Sequence, residues 1–562
     1  MDNLRLVLWA GFFVLLWLGV NQWNLDYAAP PTNPSVVSTQ TKELTTQNNK
    51  RAEETAGVLG LSDKLPAVTI QGRSAETAEK PRIASRLVTV KTDVLELGIN
   101  PDKGGDIVQA KLLKYFPSKN ETSTPIELLS YNEESYQYFQ TGLLSLNNLP
   151  EPNHQQAFVE NYKKLELREG QEQVSTSLVW RTNQGQTNLE VVKSYTLKKG
   201  RYDILLTYDV KNLGTQDYTF VLYNQLVKKD KKQERSMFNV ETYSFNGPII
   251  YDGDSYEKLD ISELGSAPTT TTHTNGWASN IQHHFLVAMV PEQNQPYTYS
   301  ATADPGNSLY KVATIGETPV TVKPGSRARV STTLVVGPKI QEQLKGVAQG
   351  LELSVDFGVL AFLSAPLFWV LEKTHRLVQN WGVAIILVTL LIKLLFYPLT
   401  EASGKSMAKM RTVTPRIKAI QDRYKDDKQA QSQAMMELYK KEGVNPMAGC
   451  WPMLIQIPFF IAFYWVLLES VEIRQAPFFL WIQDLSSRDP YFVLPVIMGL
   501  GMFFQQKLNP APPDPMQAKV MMAMPIMFTG MFAFFPSGLV LYWLTNSLLS
   551  IAQQWKINRA TQ

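Results

Sequence analysis

Lys393 is the first residue in this chain whose type and position call for a chemical explanation. It is the one ionisable side chain in the otherwise apolar run 378–400. A charge at the centre of a membrane helix costs about 2.5–3.5 kcal/mol on insertion scales, which makes it a functional candidate by default. A lysine four residues before Tyr397, about 6 Å along a helix, can also snorkel its ammonium to the headgroups. Position alone leaves both readings open. Other constellations are weaker. His283-His284 would sit on a strand with side chains on opposite faces and so would not share one ligand. With five histidines and no HExxH in the chain, they read as surface or packing residues. Gly404-Lys405-Ser406 has the tail of a phosphate-binding loop, but Leu399 stands where the first glycine is needed. Cys450 is the single cysteine, which excludes an internal disulfide and any multi-cysteine metal site. No metal, cofactor or nucleotide is expected.

The elements that position these residues follow from length and hydropathy. At about 150 residues per domain, 562 residues make three or four units. Lys+Arg number 54 against 51 Asp+Glu, a net +3, which excludes binding through overall positive charge. The charged fraction of 19% lies below the roughly 25% of soluble domains.

A membrane helix needs roughly 20 apolar residues to cross about 30 Å of hydrocarbon. Candidate spans are 6–20, 378–400, 451–468 and 491–506, together with the uncharged run 520–554. As one helix that last run would be about 52 Å long, so Pro536-Ser537-Gly538 divides it into a hairpin of two short spans. Six spans result. The first could be a secretory signal ending near Tyr27-Ala28-Ala29, but its weakly basic start favours an uncleaved anchor.

The positive-inside rule orients them. Residues 400–448 hold ten Lys/Arg and six Asp/Glu, whereas 469–490 hold two Arg and four Asp/Glu. Both termini therefore lie inside. For the parity to work, the 15-residue apolar stretch 357–371 must be an interfacial helix rather than a span.

Residues 24–85 read as a disordered tether, with no aromatic residue between Ala28 and Arg86. From Leu87, short β-rich runs such as 191–197, 202–210, 218–227 and 329–336 alternate with the turns Lys198-Lys199-Gly200 and Lys323-Pro324-Gly325-Ser326. They indicate a β-sandwich. The expected organisation is a first transmembrane anchor over 1–23, the tether over 24–85 and the sandwich over 86–340. An interfacial amphipathic helix follows over 350–376, and the second span over 377–400. A cytoplasmic helical hairpin covers 401–447, built from 401–423 and 428–442. The third span is 450–469, an outer loop 470–490, the fourth span 491–506 and a short inner loop 507–518. The last spans, 519–535 and 537–555, precede a tail over 556–562. The fold class is thus an α-helical polytopic membrane protein, six transmembrane helices with both termini in, carrying a large periplasmic β-sandwich domain.

Fourteen of 17 methionines fall after residue 400, including Met498, Met527 and Met531. Ordinary helix packing uses Met, and so do surfaces that adapt to varied apolar partners.

The chain resembles the YidC membrane-insertase family in its long Gram-negative form. The resemblance rests on Tyr397-Pro398-Leu399-Thr400, Ser406-Met407-Ala408-Lys409-Met410, Val444-Asn445-Pro446 and Pro452-Met453-Leu454-Ile455-Gln456-Ile457-Pro458. Arg474-Gln475-Ala476-Pro477-Phe478, Asp514-Pro515-Met516-Gln517 and Phe535-Pro536-Ser537-Gly538-Leu539-Val540-Leu541-Tyr542 follow in the same order. It implies an energy-independent insertase and membrane chaperone of the cell inner membrane, with no catalytic residues. It also implies a hydrophilic groove, open to cytoplasm and lipid, in which Lys393 stands where many members have Arg. Thr389 lies one turn away on the same face. The family's apolar contact strip maps to Phe460, Met498, Met531 and Trp543, the last two departing from the family's Phe and Tyr. The hairpin with Met407, Lys409, Met410 and Arg416 matches a mobile cytoplasmic hairpin that receives substrate. Implied partners are nascent membrane proteins, the lipid bilayer, the Sec translocon, the ribosome and the signal-recognition-particle receptor. The rival readings are a membrane-anchored sugar-active β-sandwich enzyme and a secondary transporter.

Overall fold

The computed structural model describes residues 86–119, 121–131, 135–229, 244–304, 306, 308–425, 427–443, 451–508 and 515–561. The expected first anchor over 1–23, the tether over 24–85 and Cys450 lie outside the described residues. Two compact units result, a β-rich one ending at Asp356 and a helical one beginning at Phe357.

The β-rich unit forms because runs of alternating apolar residues bury one face each. In the strand Thr187–Lys198, Leu189, Val191, Tyr195 and Leu197 are buried, with half-exposed residues between them. Among the described residues there are an eleven-stranded and a nine-stranded sheet, antiparallel except where Val88–Lys91 runs parallel to Lys164–Glu166. Val90, Ile107, Phe139 and Leu143 of the larger sheet share one core with Leu178, Val191, Leu206 and Leu334 of the smaller. The expected turns hold Gly200 and Gly325 at φ +69° and +75°. Nothing crowds either position, so backbone conformation alone selects glycine there.

One inward position of that alternation carries a lysine. Lys193 is completely buried, and its Nζ donates to the carbonyls of Gly104 (2.8 Å), Thr141 (3.3 Å) and Gly105 (3.4 Å). The Tyr195 and Tyr208 rings lie 5.4 and 5.3 Å away, a desolvated cation–π arrangement. Nearby, the buried Asp106 accepts from Gln140 Nε2 at 2.8 Å. Burial pushes the Asp106 carboxyl up to about 8 and the Lys193 ammonium down to about 7, each partly offset by the other's charge.

The histidine pair departs from expectation. His283 and His284 occupy the bend between the strands Trp277–Ile281 and Phe285–Pro291, not a strand. Their rings therefore stack, with centroids 3.8 Å apart, instead of pointing to opposite faces. Among the described residues no cluster of potential ligands could hold a metal ion.

The helical unit contains α1 (Ala361–Val378), α2 (Trp381–Leu395), α3 (Tyr397–Arg423), α4 (Lys428–Lys441), α5 (Trp451–Glu469), α6 (Val493–Leu508), α7 (Pro515–Phe532) and α8 (Ser537–Thr561). The expected single span over 378–400 is not one straight helix. Gln379 is left-handed, Asn380 caps α2 by accepting from Val383 N–H at 3.1 Å, and α2 stops at Leu395. Pro398 lies in the first turn of α3, where its missing N–H costs no helical bond. The two helices meet at a 62° bend. Residues 397–400 thus belong to the hairpin helix, and α8 continues through most of the expected tail. Among the described residues no single helix is long and apolar enough to cross a membrane. The pair made by α2 and the start of α3 passes that test together, and Gln456–Glu469, Val493–Leu508 and Lys519–Phe532 are shorter apolar helices.

A pH dependence follows for the β-rich unit. His154 is buried, with Nδ1 2.5 Å from the Tyr223 hydroxyl. Burial, reinforced by Lys193, Lys311 and Lys103, lowers its pKa to about 4. The folded state therefore holds neutral imidazole. The associated stability is complete above the unfolded value near pH 6.5 and is lost as pH falls through 4. Between pH 7 and pH 4 the loss is about 3 kcal/mol. Urea unfolding of the full chain, followed by tyrosine near-ultraviolet dichroism, should show a fall smaller by that amount for His154→Gln.

Candidate functional site

Lys393 sits in the last turn of α2. The outer side of this helix is greasy, with Leu387, Leu390, Leu391, Leu394 and Leu395 exposed. Lys393 itself is only 8% exposed and turns the other way. Its Nζ donates to Ser550 Oγ of α8 at 2.8 Å. The Ser550 hydroxyl in turn donates to the Asn546 carbonyl at 2.8 Å. That fixes its proton and presents its lone pairs to the lysine. Among the described residues no carboxylate pairs with Lys393.

Thr389, one turn back, is buried and donates to the Ile385 carbonyl at 2.6 Å. Thr545 likewise donates to Leu541 O at 2.8 Å, and Ser547 is buried on the same helix. Thr389 and Thr545, each satisfied by its own helix, let α2 and α8 carry hydroxyls inside an apolar bundle. The arrangement offers a cation and hydroxyls, groups that can bind polar or anionic partners reversibly.

Of the apolar residues, the structure brings together Phe460 and Trp543, whose ring centroids lie 4.6 Å apart, edge to face. Trp543 also meets Phe532 (5.3 Å) and Phe528 (6.2 Å) of α7. Met498 is buried in α6, while Met531 of α7 is 42% exposed.

Sequence reasoning missed Phe528, Phe532 and Ser550. Helical spacing held the signal. Phe528 and Phe532 are four apart, and Ser550 lies seven after Trp543, so each pair shares a face.

The hairpin α3–α4 closes around Val413 and Ile417, with Met410, Met435, Leu438 and Tyr439 packed on them. Arg416 Nη1 pairs with Glu442 Oε1 at 2.5 Å across its open end. Lys409 is exposed, and the Met407 side chain lies outside those described. Asp427 caps α4 by accepting from Gln429 and Ala430 N–H, each at 3.0 Å. The Gly404-Lys405-Ser406 segment is helical. A Cβ at Gly404 would stand 2.7 Å from Ile557 Cδ1, so this glycine serves the close approach of α3 to α8.

Comparison with known proteins matches both units. The family described as 60Kd inner membrane protein matches residues 373–562, and the YidC periplasmic domain family matches residues 87–370. A membrane protein insertase YidC of Thioalkalivibrio sulfidiphilus is 43% identical over 570 residues, covering 100% of this chain and 98% of the relative. Another, of Pseudomonas fluorescens, is 40% identical over 572 residues with the same coverage. A crystal structure of an active YidC insertase with its first transmembrane domain resolved aligns at 19% identity. It covers 84% of this chain and 94% of that one, with a TM-score of 0.37.

The Lys393–Ser550 bond makes a stability prediction. Ser550→Ala removes the hydroxyl that receives a charged donor, at a cost of about 1.5–3 kcal/mol. Thermal unfolding in detergent should show the loss, and Ser550→Thr should recover most of it.

Proposed function

The chain belongs to the YidC family of membrane protein insertases, and we propose that the inward face around Lys393 is where it receives its clients. It is an insertase, not an enzyme. It acts on nascent membrane proteins and lipid at the inner membrane, with the β-rich unit as its periplasmic domain. The sugar-active enzyme and transporter readings are not favoured, since relatives aligned over the whole chain are insertases.

The proposed topology has six spans with both termini inside, and α1 lies along the outer leaflet. A client's short polar segment enters beside Lys393, where the ammonium and neighbouring hydroxyls replace bulk water and lower the cost of desolvation. An acidic residue in that segment is held transiently by the lysine. The client's apolar span then moves along Phe460, Met531 and Trp543 into lipid, and Met498, buried in α6, joins that path only where the bundle opens. The α3–α4 hairpin, with Met407, Lys409, Met410 and Arg416, receives the client first. The Sec translocon, the ribosome and the signal-recognition-particle receptor are proposed as partners at this stage. The observation that carries the reading is the orientation of Lys393, turned inward onto Ser550 and without a carboxylate partner among the described residues.

Insertion of a short-tailed client into vesicles containing the purified protein tests it. Lys393→Glu should reduce insertion at least tenfold, because the negative charge repels an acidic tail, and Lys393→Arg should keep most of it. Lys393→Ala and Lys393→Glu proteins that both insert as well as the native chain would sink the proposal. Removal of about residues 40–330 should leave most insertion intact, whereas an enzyme seated in the β-rich unit would lose everything.

A further inference from the structure

The loop between α5 and α6 contains nine consecutive residues, 475–483, without a charge. Within it the chain makes a tight turn. Phe478 N–H donates to Ile482 O at 2.9 Å, Ile482 N–H to Phe479 O at 3.1 Å, and Gln483 Nε2 to Leu480 O at 2.7 Å. At the tip Phe479 is 56% and Leu480 80% exposed, and Leu480 has φ +54°. That conformation suits Gly or Asn, and a leucine in it is uncommon. A turn facing water has no physical reason to place a large apolar side chain at such a position.

The turn is held firmly. Asn380 Nδ2, at the start of α2, donates to Phe478 O at 3.2 Å. The Phe478 ring presses on Gly382, where a Cβ would come within 2.1 Å of it. Trp481 Nε1 donates to Asp489 Oδ1 at 3.0 Å, and Asp489 Oδ2 accepts from Leu494 N–H at 2.7 Å in the first turn of α6. The tip is thereby bolted to the starts of α2 and α6. Further exposed apolar residues lie at the same helix starts, with Leu377 just before α2 and Tyr491 and Phe492 just before α6. Below them runs the greasy outer side of α2.

We propose that Phe479 and Leu480 form a rigid apolar wedge immersed among the acyl chains of the outer leaflet, fixing the depth at which α2 and α6 begin. Three observations select lipid as the occupant: the charge-free stretch, the attachment of the tip to the start of α2, a helix with exposed leucines further along, and the aromatic residues at the helix starts, which suit a membrane interface. The proposal rests on the membrane topology proposed above.

Spin labels test it in the full chain, with Cys450→Ser removing the native thiol. Phe479→Cys and Leu480→Cys proteins are labelled separately and reconstituted in phosphatidylethanolamine–phosphatidylglycerol vesicles. Phe479 serves as a second site without the positive φ. Leu391→Cys, on the exposed side of α2, reports whether the helical unit lies in the bilayer. Val159→Cys, exposed on the β-rich unit, provides the aqueous reference. Relaxation by oxygen should exceed relaxation by a water-soluble nickel chelate several-fold at 479, 480 and 391, with the reverse at 159. Labels at 479 and 480 that behave like 159 while 391 stays in lipid would overturn the wedge and leave the topology standing. If all sites behave like 159, both fail. Shielding from both reagents at 479 and 480 would mean that protein, either a client or a second copy, covers the tip, and would also overturn the proposal.

Discussion

A lysine held inside an apolar helical bundle needs a partner, and the serine seven residues after Trp543 supplies it. The bond from Lys393 Nζ to Ser550 Oγ ties the end of α2 to α8. It works only because Ser550 spends its own proton on Asn546. The neighbouring threonines do likewise with their own backbones, leaving the face polar yet locally satisfied. The lysine's hydroxyl partner orients the ammonium without cancelling its charge, as a carboxylate would.

The buried lysine of the β-rich unit shows the contrast. Lys193 has three carbonyls, two tyrosine faces and a nearby carboxyl group. Nothing about that site leaves binding capacity for an incoming group. The same side chain is enclosed by three carbonyls in one unit and meets one hydroxyl in the other, so the number and kind of its partners differ.

Polar bonding also closes the end of the helical unit where α2, α6 and α8 begin. Ser537, at the start of α8, donates from its N–H to Ser487 O at 2.7 Å and from its hydroxyl to Asp484 O at 2.8 Å. Gly538 N–H reaches Leu485 O at 2.9 Å. Asp489 gathers the Trp481 indole and the amides of Tyr491 and Leu494. The loop thus satisfies the helix starts that would otherwise expose unpaired N–H groups. This end is knit together by hydrogen bonds, while the lysine lies at the opposite end of α2.

Local chemistry alone made much of this protein legible. Alternating apolar residues marked strands such as Thr187–Lys198, glycines at Gly200 and Gly325 marked their turns, and Pro536-Ser537-Gly538 divided the last apolar run. Ordered motifs from Tyr397 to Tyr542 pointed to the family, and Lys393 stood out because a lone charge in an apolar run is costly wherever it lies. Other features depend on tertiary placement, which no periodicity encodes. The choice of Ser550 for Lys393, the meeting of Phe460 with Trp543, and the bend at Phe396 needed helices placed against one another. The stacking of His283 on His284 depended on where two strands end. Sequence determined which residues are costly to bury and which segments can be regular. Tertiary structure decided which partners offset those costs, because hydrogen bonds and ring contacts act over a few ångströms between residues up to 157 positions apart.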